Sequence, residues 1–352
     1  MTKCSEYVSL GHPDKVADYI SQYLLDRFIE KDPDTRYAVE VQIKDFNVCL
    51  GGEVSSRYKM TKDEIITHVR NAVSEIGYND EYVEKWGKEN SICGSLLEVT
   101  SHIGQQSRGI AKGLDGWGDQ GIFFGYATPN VATYGMPKEH TVAKRICKKL
   151  FEAKIGGLDI KTQVVTRDNR IWKIIVAIPE HPNRHISIPE IKNYIGGLDG
   201  YELIVNGTGY YVQHSSIADC GTTGRKLAVD FYGGNSLIGG GCPWTKDGLK
   251  ADLTLNLLSR NIAKRFSAKT QKEIHVSLSC CIGKKAVDCF VQTKEGITLL
   301  EREIDINPSE LRRMYKLDTP IYASMCRWGL FGEFQTDKEW EKIDNNSNIL
   351  NI

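Results

Sequence analysis

The stretch Ser5-Glu-Tyr-Val-Ser-Leu-Gly-His-Pro-Asp-Lys15 constrains this chain more than any other. An imidazole, a carboxylate and an ammonium (His12, Asp14, Lys15) fall within four residues at the mouth of a helix. Gly11 permits a sharp turn, and Pro13 carries the φ suited to a first helical turn. Over residues 14–31 the apolar side chains Val16, Ile20, Leu24 and Phe28 recur at i, i+4, which predicts a helix. Its N-terminus directs free N–H groups and partial positive charge outward, a place suited to anions and above all to phosphate. A carboxylate beside a phosphate is costly without a cation between them, so Asp14 reads better as a Mg²⁺ ligand than as a phosphate contact. On these residues alone the plainer alternative stays open: a turn whose Asp14 only complements the helix dipole.

Downstream, Arg36 to Ser56 holds two β-branched runs separated by Lys44-Asp45, a hairpin or paired strands, with Glu40 in the first and Glu53 closing the second. Thr61-Lys-Asp-Glu64 is a capping box opening a helix with Ile65, Val69, Val73 and Ile76 on one face. Residues 105–121 are glycine-rich and polar, a lid or a surface loop. Strands are expected at 122–128, 162–166, 172–178, 202–205, 210–213, 273–282 and 286–293, and helices near 138–154, 253–266 and Ser309. Two strands and a helix recur about three times, so the expected fold is α/β in the α+β sense, three similar sheet-plus-helix units. Approximate boundaries are 3–101, 114–213 and 215–340.

Lys+Arg and Asp+Glu are both 45. Zero net charge gives no electrostatic case for nucleic acid or an anionic membrane surface, so any cationic site must be local. The ten cysteines contain no Cys-x-x-Cys pair. Reduced thiols in a soluble, cytoplasmic protein without a zinc site are the expectation, with neither a signal peptide nor an apolar run of membrane-spanning length.

Two further stretches carry chemistry. Asp219-Cys-Gly-Thr-Thr-Gly-Arg-Lys226 joins glycines, hydroxyls and an Arg-Lys pair; Gly239-Gly-Gly-Cys-Pro-Trp-Thr-Lys-Asp-Gly-Leu-Lys-Ala-Asp252 follows. Glycines let backbone N–H groups approach a ligand, while Arg and Lys neutralise phosphate oxygens. Neither is a nucleotide P-loop or a dinucleotide fingerprint. Taken singly, each could be a turn with solvated charges. Together with isolated carboxylates and Lys161 at a strand start, they point to a metal–polyphosphate site.

The order Gly11-His-Pro-Asp-Lys15, Gly51-Gly-Glu53, Gly118-Asp-Gln-Gly121, Asp219-Cys-Gly…Gly-Arg-Lys226, Gly239-Gly-Gly…Lys246-Asp…Lys250…Asp252 and Gly329-Leu-Phe-Gly332 resembles the S-adenosylmethionine synthetases from Ser5 to about Gly332. The resemblance implies three related domains around a pseudo-threefold axis, partly interleaved in sequence. It implies a transferase joining ATP and L-methionine, with two Mg²⁺ and K⁺ as cofactors. It also implies a homodimer, in places paired into a tetramer, with active sites between subunits.

Position by position, His12 resembles the residue contacting the triphosphate near the leaving oxygen. Asp14 and Asp252 match the Mg²⁺ ligands and Glu40 the potassium-site glutamate. Lys161, Arg225, Lys226 and Lys246 would grip the phosphates, and Asp159 would lie on the nucleotide. Tyr211, with Tyr210 beside it, falls where the family stacks an aromatic ring on adenine, and the Cys242 backbone would face the nucleotide. Asp219 would hold ribose and methionine. Glu53, Gln106 and Lys250 would orient methionine, with Asp119 beside them. The sequence departs from the family at Tyr7, Leu10 and Leu330, and at Arg108-Gly109 in the gate loop beginning at Gln106. Two rival readings are a polyphosphate hydrolase that lost methionine binding and a non-catalytic partner subunit. Glu53, Gln106 and Lys250 argue against the first, and Asp14 with Asp252 against the second.

Overall fold

In the computed structural model, residues 1–104 and 116–343 are described. Three four-stranded sheets each bury one face under helices. The first has the order β1 (Thr2–Val8), β6 (Lys161–Arg167), β7 (Arg170–Ala177), β8 (Glu202–Val205), under α4 (Lys138–Ala153) and α5 (Ile188–Ile195). The second runs β12 (Thr298–Asp305), β11 (Ala286–Thr293), β10 (Ile274–Cys280), β5 (Gly121–Ala127), and packs on α7 (Ala251–Thr270). The third runs β4 (Glu98–Gly104), β3 (Asn47–Ser55), β2 (Arg36–Lys44), β9 (Gly221–Thr222), under α1 (Pro13–Ile29) and α2 (Lys62–Ile76). The short helices α3 (Asp80–Trp86), α6 (Leu227–Asp230), α8 (Pro308–Met314) and α9 (Tyr322–Cys326) fill the joints.

Local chemistry explains the main elements. Along β10 every second residue is buried, the period expected of a sheet with one covered face. His12 caps α1 with Pro13 just inside, and Thr61 with Glu64 forms the expected capping box of α2. Val16, Ile20, Leu24 and Phe28 all lie in the core that joins the second and third sheets.

Strands are exchanged along the chain, and this exchange builds the site. β1 pairs with β6, setting Val8 opposite Lys161. β9 pairs with β2, setting Gly221 opposite Ile43 and Thr222 opposite Gln42. Residues 2–8 thus share a sheet with 161–205, and 121–127 with 274–305.

Residues 210–213 are not the strand expected there. The Tyr211 carbonyl accepts from the Glu180 N–H at 2.8 Å and the His214 N–H reaches Asn90, so this segment bridges two units instead of joining a ladder. β1, β4 and β12 were not anticipated. Their alternating residues are largely charged or polar, as in Thr298-Leu-Leu-Glu-Arg-Glu-Ile-Asp305, which weakens the period-2 signal.

Candidate active site

The first wall is the N-terminus of α1. The His12 Nδ1 accepts from the Asp14 N–H at 3.1 Å, and the ring is 1% exposed. An accepting Nδ1 leaves the proton on Nε2. Burial first, then Lys226, Lys161 and Lys15, push the imidazole down to about 2, so it is a neutral donor throughout the physiological range.

The chain from Asp219 to Lys226 crosses directly above. A Cβ on Gly221 would stand 2.2 Å from the Pro13 carbonyl oxygen, so only glycine permits this crossing. The next residues grasp the helix mouth. The Thr222 N–H donates to Asp14 Oδ1 at 2.9 Å, and Lys226 Nζ to Asp14 Oδ2 at 2.5 Å. Asp14 therefore has a backbone donor on one oxygen and an ammonium on the other.

The second wall is β2 with the segment 241–252. The Glu40 carboxylate accepts from the Thr223 hydroxyl, from Thr245 Oγ1 at 2.9 Å and from Lys246 Nζ at 3.3 Å. Burial works to raise this carboxyl, but the Thr223 hydroxyl, Lys246 and Thr245 outweigh it and hold it below its usual value. Lys246 is placed by an antiparallel bridge to Ala38, whose register partner on β3 is Glu53. Asp252 sits in the first turn of α7 behind its N-cap, Lys250. Burial raises the Asp252 carboxyl, Lys246 opposes this, and Asp119 adds to it. Asp119 is exposed and caps the Gln120 N–H at 2.8 Å. Because Thr222 and Lys226 touch Asp14 while Thr223 touches Glu40, the two walls form one surface.

The third part is a recess at the start of β6. Asp159 is 7% exposed; its Oδ2 accepts from the Ser215 N–H at 3.0 Å, while its buried Oδ1 has no protein partner. Burial pushes this carboxyl up to about 6, against the pull of Lys161. Tyr211 is half-buried beside it, and burial, Asp159 and Glu180 all push its hydroxyl up. Tyr210 stands out at 60% exposure, edge-on to the His185 ring at 4.9 Å. Asp219 is exposed, close enough to act on Asp159, and accepts from the Cys220 N–H at 2.8 Å.

The structure thus gathers His12, Asp14, Lys161, Lys226 and Asp159 around the α1 mouth, and Glu40, Lys246, Lys250 and Asp252 beside it. Arg225 is exposed on the connecting loop, and Cys242 packs under Gly224. Glu53 is exposed on β3. Gln106, Arg108 and Gly109 lie outside the described residues. Three contributors were not singled out from sequence. Thr223 and Thr245 were visible only as hydroxyls in glycine-rich runs. Asp18 follows Asp14 by one helical turn and accepts from the Gly224 N–H at 2.9 Å. That i, i+4 spacing was the signal that could have found it.

Among the described residues no three His, Cys, Asp or Glu side chains converge as a ready-made metal cage. Isolated carboxylates facing a cation-lined surface are the donor set for Mg²⁺ carried largely by substrate phosphates and water. Glu40 with two threonine hydroxyls offers oxygen donors for a monovalent cation, with the Lys246 ammonium on the same carboxylate.

Fold and site together define an α/β protein with a helix N-terminus faced by the ammonium groups of Lys161 and Lys226. Residues 1–108 match the N-terminal domain of S-adenosylmethionine synthetase and residues 197–342 its C-terminal domain. The S-adenosylmethionine synthase of Acholeplasma laidlawii is 31% identical, with 97% of this chain and 96% of that protein covered. That of Zymomonas mobilis is 31% identical over 97% and 95% of the two chains. Among solved structures, an unusual S-adenosylmethionine synthetase from Campylobacter jejuni superposes with a TM-score of 0.87 at 30% identity, covering 97% of each chain. The chain belongs to the S-adenosylmethionine synthetase family, the methionine adenosyltransferases.

Proposed function

We propose that this chain makes S-adenosylmethionine by attack of the methionine thioether sulfur on C5′ of the ATP ribose. The whole tripolyphosphate leaves and is then hydrolysed to diphosphate and phosphate. The observation that carries this reading is the geometry of the α1 mouth, where His12 Nδ1 accepts from the Asp14 N–H and Lys226 reaches Asp14 from the crossing loop.

A thioether is already nucleophilic, so the site needs no strong base, and in-line positioning supplies much of the acceleration. Negative charge grows on the departing oxygen, where pre-set donors and cations are most effective. His12 offers an Nε2–H there without a proton equilibrium. Lys161, Arg225, Lys226 and Lys246 neutralise the phosphates, and the free Asp159 Oδ1 accepts from the nucleoside. Tyr211 gives the base an aromatic face, with Tyr210 and the Cys242 backbone beside it. Asp219 holds ribose and methionine. Asp14 and Asp252 would hold two Mg²⁺ and Glu40 a K⁺, which supply further charge neutralisation when bound. Glu53, Gln106, Asp119 and Lys250 orient methionine.

Glu53 is exposed on its sheet; a homodimer, or a pair of dimers, in which it serves the neighbouring site is part of the same proposal. All ten cysteines are free, and no described helix is long and apolar enough to cross a membrane. A cytoplasmic enzyme without nucleic-acid or membrane partners is also part of this proposal.

Purified protein given ATP, methionine, Mg²⁺ and K⁺ should yield S-adenosylmethionine, diphosphate and phosphate, each methionine-dependent, by chromatography. Phosphate without the sulfonium product would replace this reading with a polyphosphate hydrolase. Omitting K⁺ should slow the wild type about tenfold and leave Glu40→Gln, already slowed, unchanged.

The neutral His12 has its own signature. His12→Asn keeps an acceptor for the Asp14 N–H and an N–H donor, so it should lower kcat by roughly 10- to 100-fold. Its pH–rate profile should parallel the wild type between about pH 6 and 8, because His12 does not titrate there. A limb near the ordinary histidine value that disappears in His12→Asn would show that the imidazole ionises during turnover.

A further inference from the structure

Lys15 stands beside Asp14 in the helix mouth, yet its ammonium turns away from the site. It contacts both Asp230 carboxylate oxygens at 2.7 Å and Asp18 Oδ2 at 3.1 Å, and lies 4.6 Å from the Trp244 ring centroid. Lys15 is 2% exposed, and Asp18, Asp230 and Trp244 are each at 0%. This array reaches the two glycine-rich segments separately. Asp18 Oδ1 accepts from the Gly224 N–H at 2.9 Å, and Asp230 Oδ2 from Trp244 Nε1–H at 2.7 Å. Gly224 has φ +75°, and the space its Cβ would take ends 3.0 Å from the Cys242 Cβ.

Two carboxylates and one ammonium buried together are a poor way to gain stability, since desolvation offsets most of the Coulomb attraction. What such an array does well is fix a single geometry. Here it ties one segment carrying Arg225 and Lys226, and another carrying Lys246, to one lysine on the helix that carries Asp14.

We propose that Asp18, Lys15 and Asp230 form a positioning device that holds the two cation-bearing loops at the spacing required by a bound tripolyphosphate. The inference rests on the function proposed above. None of the three residues touches substrate; they act through Gly224 and Trp244. The device sets the affinity of the phosphate grip and leaves methionine binding alone.

The test uses inorganic tripolyphosphate binding by calorimetry, steady-state kinetics and thermal melting on the full chain. Asp18→Ala should weaken tripolyphosphate binding and raise the ATP KM by about tenfold or more, as expected when reacting groups shift by a fraction of an ångström. The methionine KM should stay within about twofold. Asp18→Asn keeps an acceptor for the Gly224 N–H and should recover part of the loss. Should Asp18→Ala fail to fold, Trp244→Phe keeps the ring over Lys15, removes only the N–H to Asp230, and should show a smaller shift of the same kind. Lower melting temperature or kcat with unchanged tripolyphosphate affinity and ATP KM would overturn the proposal in favour of a purely structural array. If the wild type makes no S-adenosylmethionine yet binds tripolyphosphate in an Asp18-dependent way, the positioning role stands and the reaction assignment falls. If it makes the product and Asp18→Ala binds tripolyphosphate normally, only the positioning role falls.

Discussion

Asp252→Asn protein should fold as the wild type does and make S-adenosylmethionine about a thousandfold more slowly or worse, because several kcal/mol of transition-state charge stabilisation go with the carboxylate. The two halves of this expectation have separate causes. Asp252 lies in the first turn of α7, where a carboxylate favours the helix dipole slightly. Burial nevertheless raises its pKa, and Asp119 adds to that, so the folded protein disfavours the charged form. A group whose folded pKa is raised contributes stability below its unfolded value and loses it as pH rises through the folded one. At neutral pH the isosteric amide therefore costs the fold nothing. Catalysis loses the anionic oxygen that, in the proposed mechanism, would hold a Mg²⁺ and so supply charge neutralisation. Chromatographic rates at saturating Mg²⁺, with a melting curve on the same sample, decide it. Turnover within about threefold of the wild type would remove Asp252 from the metal assignment.

Much of this site could be read from the sequence because its parts are local. The turn before His12, the Arg225-Lys226 pair and the Lys246…Lys250…Asp252 run each sit within one segment whose residue types declare their chemistry. The helix positions were legible for the same reason, since Val16, Ile20, Leu24 and Phe28 report a 3.6-residue period. Strand exchange was not. Nothing in Thr2–Val8 announces that its partner is β6, more than 150 residues on, yet that pairing brings Lys161 toward His12. Nor could two residues, Gly221–Thr222, show from their own composition that they add a strand to β2.

Departures from the family pattern also acquire a reason. Tyr7 and Leu10 are 1% and 2% exposed, and Tyr7 stacks on Trp328 at 6.4 Å between centroids. Leu330 is fully buried. All three belong to the packing behind the site, not to its surface. Lys15 was harder to place. A lysine beside Asp14 suggests phosphate, and only the fold shows that Asp230, more than two hundred residues away, has claimed it.

The largest loss of stability is expected at Glu341. Its carboxylate is buried and accepts from Arg260 at 2.9 and 3.1 Å, from Lys264 at 2.8 Å and from the Gly332 N–H at 3.0 Å. Arg260 is itself at 0% exposure, its remaining N–H groups satisfied by the Tyr126, Tyr134 and Gly135 carbonyls. Together these contacts tie the segment 339–342 to the middle of α7. Glu341→Gln keeps the shape but leaves Arg260 buried without its counter-charge, which costs about 3–5 kcal/mol. The melting temperature should fall by several degrees. Burial would push the Glu341 carboxyl up, but Arg260 and Lys264 outweigh it and hold it below the usual glutamate value. A depressed carboxyl contributes stability above its unfolded pKa and loses it as pH falls through the folded one. The gap between wild type and Glu341→Gln should therefore be full at neutral pH and close in acid. Arg260→Met combined with Glu341→Leu removes both charges and should recover a large part of the loss. Equal melting temperatures for Glu341→Gln and wild type at pH 7 would show that the network is dispensable. Because Asp252 lies in the first turn of the same helix, loosening its anchor should also raise the Mg²⁺ concentration needed for half-maximal rate, an effect that Asp252→Asn alone cannot mimic by unfolding.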